Sequence, residues 1–148
     1  MNQLTEEVKT QVAITATEGA ANTTDINGAV VDCAGFDGLR MCVLFGAITA
    51  GAVTSIKAQQ GTNATVTDAA DLVGTGVTVA VADAAKLFII DIHGIRERYA
   101  RVVVDRGTSN AVVEAAWYEL YHPKELPVTQ HANVKTLELH VSPIEGTA

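Results

Sequence analysis

Tyr99-Ala100-Arg101-Val102-Val103-Val104-Asp105, then Arg106-Gly107-Thr108-Ser109-Asn110, then Ala111-Val112-Val113-Glu114-Ala115-Ala116-Trp117-Tyr118-Glu119-Leu120-Tyr121 reads as two β-strands around a polar turn. β-Branched and aromatic residues crowd both flanks, while Gly, Thr, Ser and Asn fill the gap. Successive side chains of a strand point to opposite faces. Tyr99, Arg101, Val103 and Asp105 therefore share one face, and Ala100, Val102, Val104 and Arg106 share the other. In the second run Trp117 and Tyr121 share a face with Tyr118 opposite, and the odd spacing of Glu114 and Glu119 puts them on opposite faces. The turn between the runs predicts a hairpin.

The same alternation extends outward along the chain. Lys9 to Thr17 alternates, as does Leu39 to Phe45, where Leu39, Met41, Val43 and Phe45 form one face. Val53 to Gln60 points Thr54, Ile56 and Ala58 to a core, and Val77, Val79 and Val81 alternate with Thr78, Ala80 and Ala82. Leu87 to His93 is nearly all apolar, which predicts a central strand covered on both faces. Asn27-Gly28, Asp37-Gly38, Gly46 to Gly51 and Gly74 to Gly76 punctuate the runs. Only Ala69 to Leu72 and Ala82 to Lys86 suit a turn of helix. Seven such runs with short polar turns predict an all-β fold, a two-sheet β-sandwich or jelly roll.

Composition agrees with a packed domain. The 148 residues are 48% hydrophobic but only 5% aromatic, so the apolar share comes from small residues such as Ala and Val. A chain of this length can bury roughly 70% of its unfolded surface without a disulfide or metal. The net charge of −7 argues against nucleic acid as a partner. No stretch has the 18 or so apolar residues of a membrane helix, so no membrane partner is expected. The opening Met1-Asn2-Gln3-Leu4-Thr5-Glu6-Glu7 lacks the features of a secretory leader, which predicts synthesis and folding in the cytoplasm. Cys33 and Cys42 fit two buried free thiols rather than a zinc pair.

Beyond Tyr121 the pattern changes. Pro123 and Pro127 interrupt ladder pairing, so residues 122–148 read as an extended C-terminal arm on a sandwich of residues 1–121. Val134 to Val141 alternates again, with Leu137, Leu139 and Val141 on one side, and predicts a short strand. Its apolar face needs a partner, either the chain's own sheet or a neighbouring subunit. A linker of roughly 12 residues spans some 35–40 Å, enough to reach a neighbour.

Catalytic patterns are missing: there is no GxSxG, HExxH, phosphate loop or GxGxxG. No enzyme activity, cofactor or metal is expected. His93, His122, His131 and His140 read as strand-end or surface histidines, and Asp68, Asp71 and Asp83 as turn carboxylates. Arg96, Arg98, Arg101 and Arg106 stand out within an acidic chain. Guanidinium forks suit carboxylates, so these arginines are candidates for docking on an acidic protein surface.

Three segments carry a likeness. They are Asp71 to Thr75, Ala82 to Ile92 and Arg98 to Ala111, with Leu126-Pro127-Val128-Thr129-Gln130 and His140 to Ala148 similar in the arm. Over about half the chain, from Asp71 onward, the sequence resembles small structural proteins of tailed bacteriophages encoded near the major capsid protein. The resemblance implies a β-sandwich or jelly-roll decoration (cement) protein, commonly a homotrimer on the outer capsid surface of the virion. Its partners would be the major capsid protein and itself. The interface residues expected on the chain's own features are Arg96, Arg98, Arg101, Arg106, Leu137, Leu139 and Val141. The rival readings are a head–tail or tail component of the virion and a carbohydrate-binding module that stacks sugars on Trp117.

Overall fold

The computed structural model describes residues 3–147. It is 46% strand and 5% helix, arranged as two antiparallel sheets. A short helix α1 (Leu4–Glu7) precedes β1 (Lys9–Ile14), β2 (Ile26–Asn27), β3 (Val31–Asp32), β4 (Phe36–Ile48) and β5 (Val53–Gly61). Then come β6 (Ala70–Asp71), β7 (Val77–Val79), a 3-10 turn at Val81–Asp83, β8 (Leu87–His93), β9 (Tyr99–Gly107) and β10 (Ala111–Pro123). One sheet has the order β1-β10-β4-β8. The other runs β2-β9-β5-β6, with β3 also on β9 and β7 also on β5.

The expected alternation fills the space between the sheets. Leu39, Met41, Val43 and Phe45 from β4 meet Ile56 and Ala58 from β5 and Val102 and Val104 from β9 in one buried cluster. Tyr118 ties the two sheets together. Its hydroxyl donates to the Ala29 carbonyl at 2.8 Å and accepts from the Val102 N–H at 2.9 Å. Between β2 and β3 the chain leaves β9, and the Ala29 N–H bonds instead to the Ala13 carbonyl of β1 at 2.8 Å. The Tyr118 hydroxyl takes up the ladder donor that this detour strands on β9.

Several local expectations are corrected. β9 and β10 do not form a hairpin: β9 lies between β5 and the β2/β3 pair, and β10 between β1 and β4. Both strands already have two neighbours, so Thr108, with φ of 68°, helps turn the chain from one sheet to the other. β10 also carries irregular register between Val113 and Ala115. That slip reverses the in–out phase, so Glu114 and Glu119 both avoid the core instead of facing opposite ways. β8 pairs only with β4 and is an edge strand, not a central one. Ala70–Asp71 pairs with Gln59 and Gln60 as strand β6 rather than forming a helical turn. The Asp68, Asp71 and Asp83 carboxylates do bind their own turns and neighbouring strands, as Asp83 does with the Ala80 N–H at 2.9 Å.

The arm also departs from expectation. Residues 124–147 contain no strand, including the stretch from Val134 to Val141. Alternation alone does not make a strand when no ladder partner is present. The first part of the arm instead covers the free edge of β1. The Gln130 amide accepts from the Thr10 N–H at 2.9 Å and donates to the Val8 carbonyl at 2.6 Å, and Asn133 Oδ1 accepts from the Val12 N–H at 3.3 Å. Side-chain amides here stand in for a neighbouring strand and blunt an edge that would otherwise recruit other chains. Removing residues 134–148 is therefore expected to leave the melting temperature within about 2 °C of the full chain. Removing residues 124–148 strips these edge bonds and should lower it by several degrees, at roughly 2–4 °C per kcal/mol. Differential scanning calorimetry on the two truncations separates the cases.

Candidate interaction surface

The four arginines divide into separate roles. Arg106 shares the face of Ala100, Val102 and Val104, as the alternation indicates, but that face is the core side of β9, so Arg106 is buried and is not available to dock on an acidic surface. Its Nε donates to the Thr24 carbonyl at 2.6 Å, and its NH1 to the Ala20 and Ala111 carbonyls, each at 2.9 Å. Burial holds its pKa below the ordinary arginine value. Arg101 is half-buried and donates to Gln59 Oε1 at 2.9 Å. Arg98 forks onto Asp32, Nε to Oδ1 at 2.9 Å and NH2 to Oδ2 at 2.8 Å, with its guanidinium 5.1 Å above the Tyr99 ring. The Arg98 hydrogen bonds hold the Asp32 carboxyl below the usual range. Arg96 is exposed in the β8–β9 turn and has no ion pair among the described residues.

These placements separate the effects of charge reversal. Arg96→Glu is expected to leave the fold intact. Arg98→Glu sets two carboxylates against each other beside β3 and should also loosen that strand. If this edge docks on an acidic surface, Arg96→Glu weakens binding and flattens its salt dependence, measured by surface plasmon resonance at low and physiological ionic strength.

The outer face of the β1-β10-β4-β8 sheet carries an apolar patch. Register aligns Val12, Trp117, Cys42 and Ile89 in one row across the four strands, and Ala115, Leu44 and Leu87 in the next. Leu87 and Ile89 are 46% and 45% exposed. The sequence does not reveal this surface because the nearly all-apolar run Leu87 to His93 reads as a central strand. The next row is polar: Thr10, Glu119, Arg40 and Asp91. Arg40 pairs with Glu119 at 2.8 Å, Trp117 Nε1 donates to Glu119 Oε1 at 3.2 Å, and the Tyr121 hydroxyl donates to Asp91 Oδ1 at 2.6 Å. Asp91 thereby pushes the Tyr121 hydroxyl pKa up to about 12.

Along that polar row runs an open groove of about 470 Å³ between α1 and the arm, lined by Leu4, Val8, Arg40, Tyr121, Gln130 and Leu137. Leu137 and Leu139 are exposed, and Val141 is 93% exposed. Leaving such side chains in water forgoes roughly 1.5–3 kcal/mol each relative to full burial. Both thiols are buried and free, and burial pushes Cys33 up to about 12.

No known protein-family model and no curated protein matches the chain. Among solved structures it is similar to the crystal structure of PBSX exported protein XepA. The TM-score is 0.54 at 17% sequence identity, over 98% of this chain and 46% of that one. At that identity the likeness is one of fold, and this chain spans about half the length of the structure it matches.

Proposed function

We propose that this chain is a bacteriophage structural protein that decorates the outer capsid surface, self-associates as a trimer and stabilises the shell by bridging capsomers. The observation that carries the reading is the apolar outer face of the four-stranded sheet, where Leu87 and Ile89 are exposed beside half-buried Leu44, Val12 and Trp117, with an arm that presents Leu137, Leu139 and Val141. A binding protein of this kind needs a stable scaffold with adhesive faces rather than a reaction centre. The fold-level likeness to an exported protein of the phage PBSX is in keeping with a phage origin. Many identical modest contacts on a lattice add up through effective concentration.

The test is co-sedimentation of the purified protein with shells of the major capsid protein, together with its mass by light scattering. Saturable binding and a trimeric mass are expected, and Leu87→Asp/Ile89→Asp should abolish shell binding while preserving the β-sheet circular dichroism. Shells that sediment bare at micromolar protein overturn the reading. Rings or tubes of the protein alone in negative stain would assign it to the head–tail or tail apparatus instead.

A further inference from the structure

The sequence separates His93 and His122 by 28 intervening residues and suggests no metal ligands. The fold brings both to Asp37, where the β4, β8 and β10 ladders end. One ligand atom from each of Asp37, His93 and His122 lies within 4.8 Å of the others, and all three residues are exposed. His93 Nδ1 is already 3.5 Å from Asp37 Oδ2. The two imidazole rings meet edge to face, with centroids 5.9 Å apart.

Three backbone features build this convergence. Gly38 pairs with His93 on one side and Tyr121 on the other, and a Cβ there would collide with the Tyr121 ring. The missing side chain lets that ring lie across β4, locked to Asp91 by its hydroxyl. His122 then adopts φ of 51°, in the left-handed region that few non-glycine residues enter. A regular strand would send His122 to the opposite face from Tyr121. The left-handed turn keeps it beside Tyr121, ring centroids 4.9 Å apart, and within reach of His93. Gly94, with φ of 70°, ends β8 directly after His93, and its N–H donates to the Asp37 carbonyl at 2.9 Å. The ligand-bearing backbone of β4 and β8 is thus pinned.

The geometry points to a binding site for a divalent transition metal of the zinc class, held by Asp37, His93 and His122 with a fourth position open to water. Two imidazoles and one carboxylate suit Zn²⁺, Co²⁺ or Ni²⁺, whereas Ca²⁺ and Mg²⁺ favour all-oxygen shells. Bonds of about 2.0–2.2 Å in tetrahedral array put ligand atoms roughly 3.3–3.6 Å apart. The His93–Asp37 separation matches that edge. The remaining separations close by rotation of the two exposed imidazoles, His122 trading part of its edge contact with the Tyr121 ring for the metal. A bound ion would clamp three strand ends where the chain leaves the sandwich for its arm.

Isothermal titration of the full-length protein with Zn²⁺, and visible absorption with Co²⁺, tests the site. One equivalent per chain is expected, with d–d bands of a low-coordinate Co²⁺ centre. At a hundredfold excess of Zn²⁺ over Kd, the melting temperature should rise by about 5–10 °C. His93→Ala and His122→Ala should each weaken binding at least tenfold, with melting temperatures in EDTA close to the parent's. His131→Ala/His140→Ala should bind as the parent does. No Co²⁺ band in the parent overturns the assignment. So does Zn²⁺ affinity that survives His93→Ala/His122→Ala or that falls with His131→Ala/His140→Ala.

Discussion

Arg106→Met is expected to lower stability by about 3 kcal/mol or more, because it leaves three carbonyls in the sandwich corner without their donor. The Ala20, Thr24 and Ala111 carbonyls belong to the segment between β1 and β2 and to the first residue of β10. One guanidinium fork therefore joins the crossing between the sheets to a loop that has little ladder of its own. The Arg106 N–H adds a bond to Asp25 Oδ1 at 2.7 Å. Methionine matches much of the side-chain volume, which keeps the packing and isolates the polar loss. The melting temperature should fall by about 6–12 °C for a chain of this size. Arg106→Lys should recover little, since a point ammonium cannot span three acceptors set at different angles. Urea melts of the two variants decide the matter. A loss under about 0.5 kcal/mol in Arg106→Met would mean that water replaces the guanidinium there, and that the residue is surface in character after all.

That arginine shows how far residue pattern alone reaches. Period-two alternation puts Arg106 on one face with Ala100, Val102 and Val104, and the structure buries that whole face. The same cluster of positive charge nevertheless marks Arg106 as a docking residue for an acidic surface, since a charge count carries no information about which carbonyls converge on a guanidinium. The core faces of β4, β5 and β9 were legible because each run is long and one face is wholly apolar. Strand partners were not legible: a turn rich in Gly, Thr, Ser and Asn serves a sheet-to-sheet crossing as well as a hairpin. Edge position was likewise hidden in β8, where Leu87 and Ile89 are apolar yet exposed. Such residues read as buried unless something on the outside needs them. The two-residue strands β2, β3 and β6 are too short to carry a period. The convergence of Asp37, His93 and His122 depends on strand register plus one left-handed residue, and neither is written in local sequence.

Tyr118→Ala is expected to be the more damaging change, at about 3–5 kcal/mol for the lost ring burial and the cavity together. Tyr118 is fully buried, and among the described residues no other side chain hydrogen-bonds from β10 to the break in the β9 ladder. Tyr118→Phe keeps the ring and removes only the hydroxyl, leaving the Val102 N–H and the Ala29 carbonyl unpaired. It should cost about 1–3 kcal/mol. The pair of variants thus divides packing from polar satisfaction at one position. pH supplies an independent check. Burial raises the Tyr118 pKa above the ordinary tyrosine value of 10.0, so the folded state holds this proton when the unfolded chain has begun to release it. Burial does the same to Cys33, from 9.0 up to about 12. Raised folded-state values give stability that is intact below the ordinary pKa and is lost as pH climbs toward the folded one. Unfolding free energy should hold steady to about pH 9, decline from there as the unfolded Cys33 thiol ionises, and fall faster above pH 10. In Tyr118→Phe the second, steeper decline should shrink while the first remains. Equal slopes in parent and variant above pH 10 would show that the Tyr118 proton is not linked to folding, and that the hydroxyl bridge between the sheets is open to water.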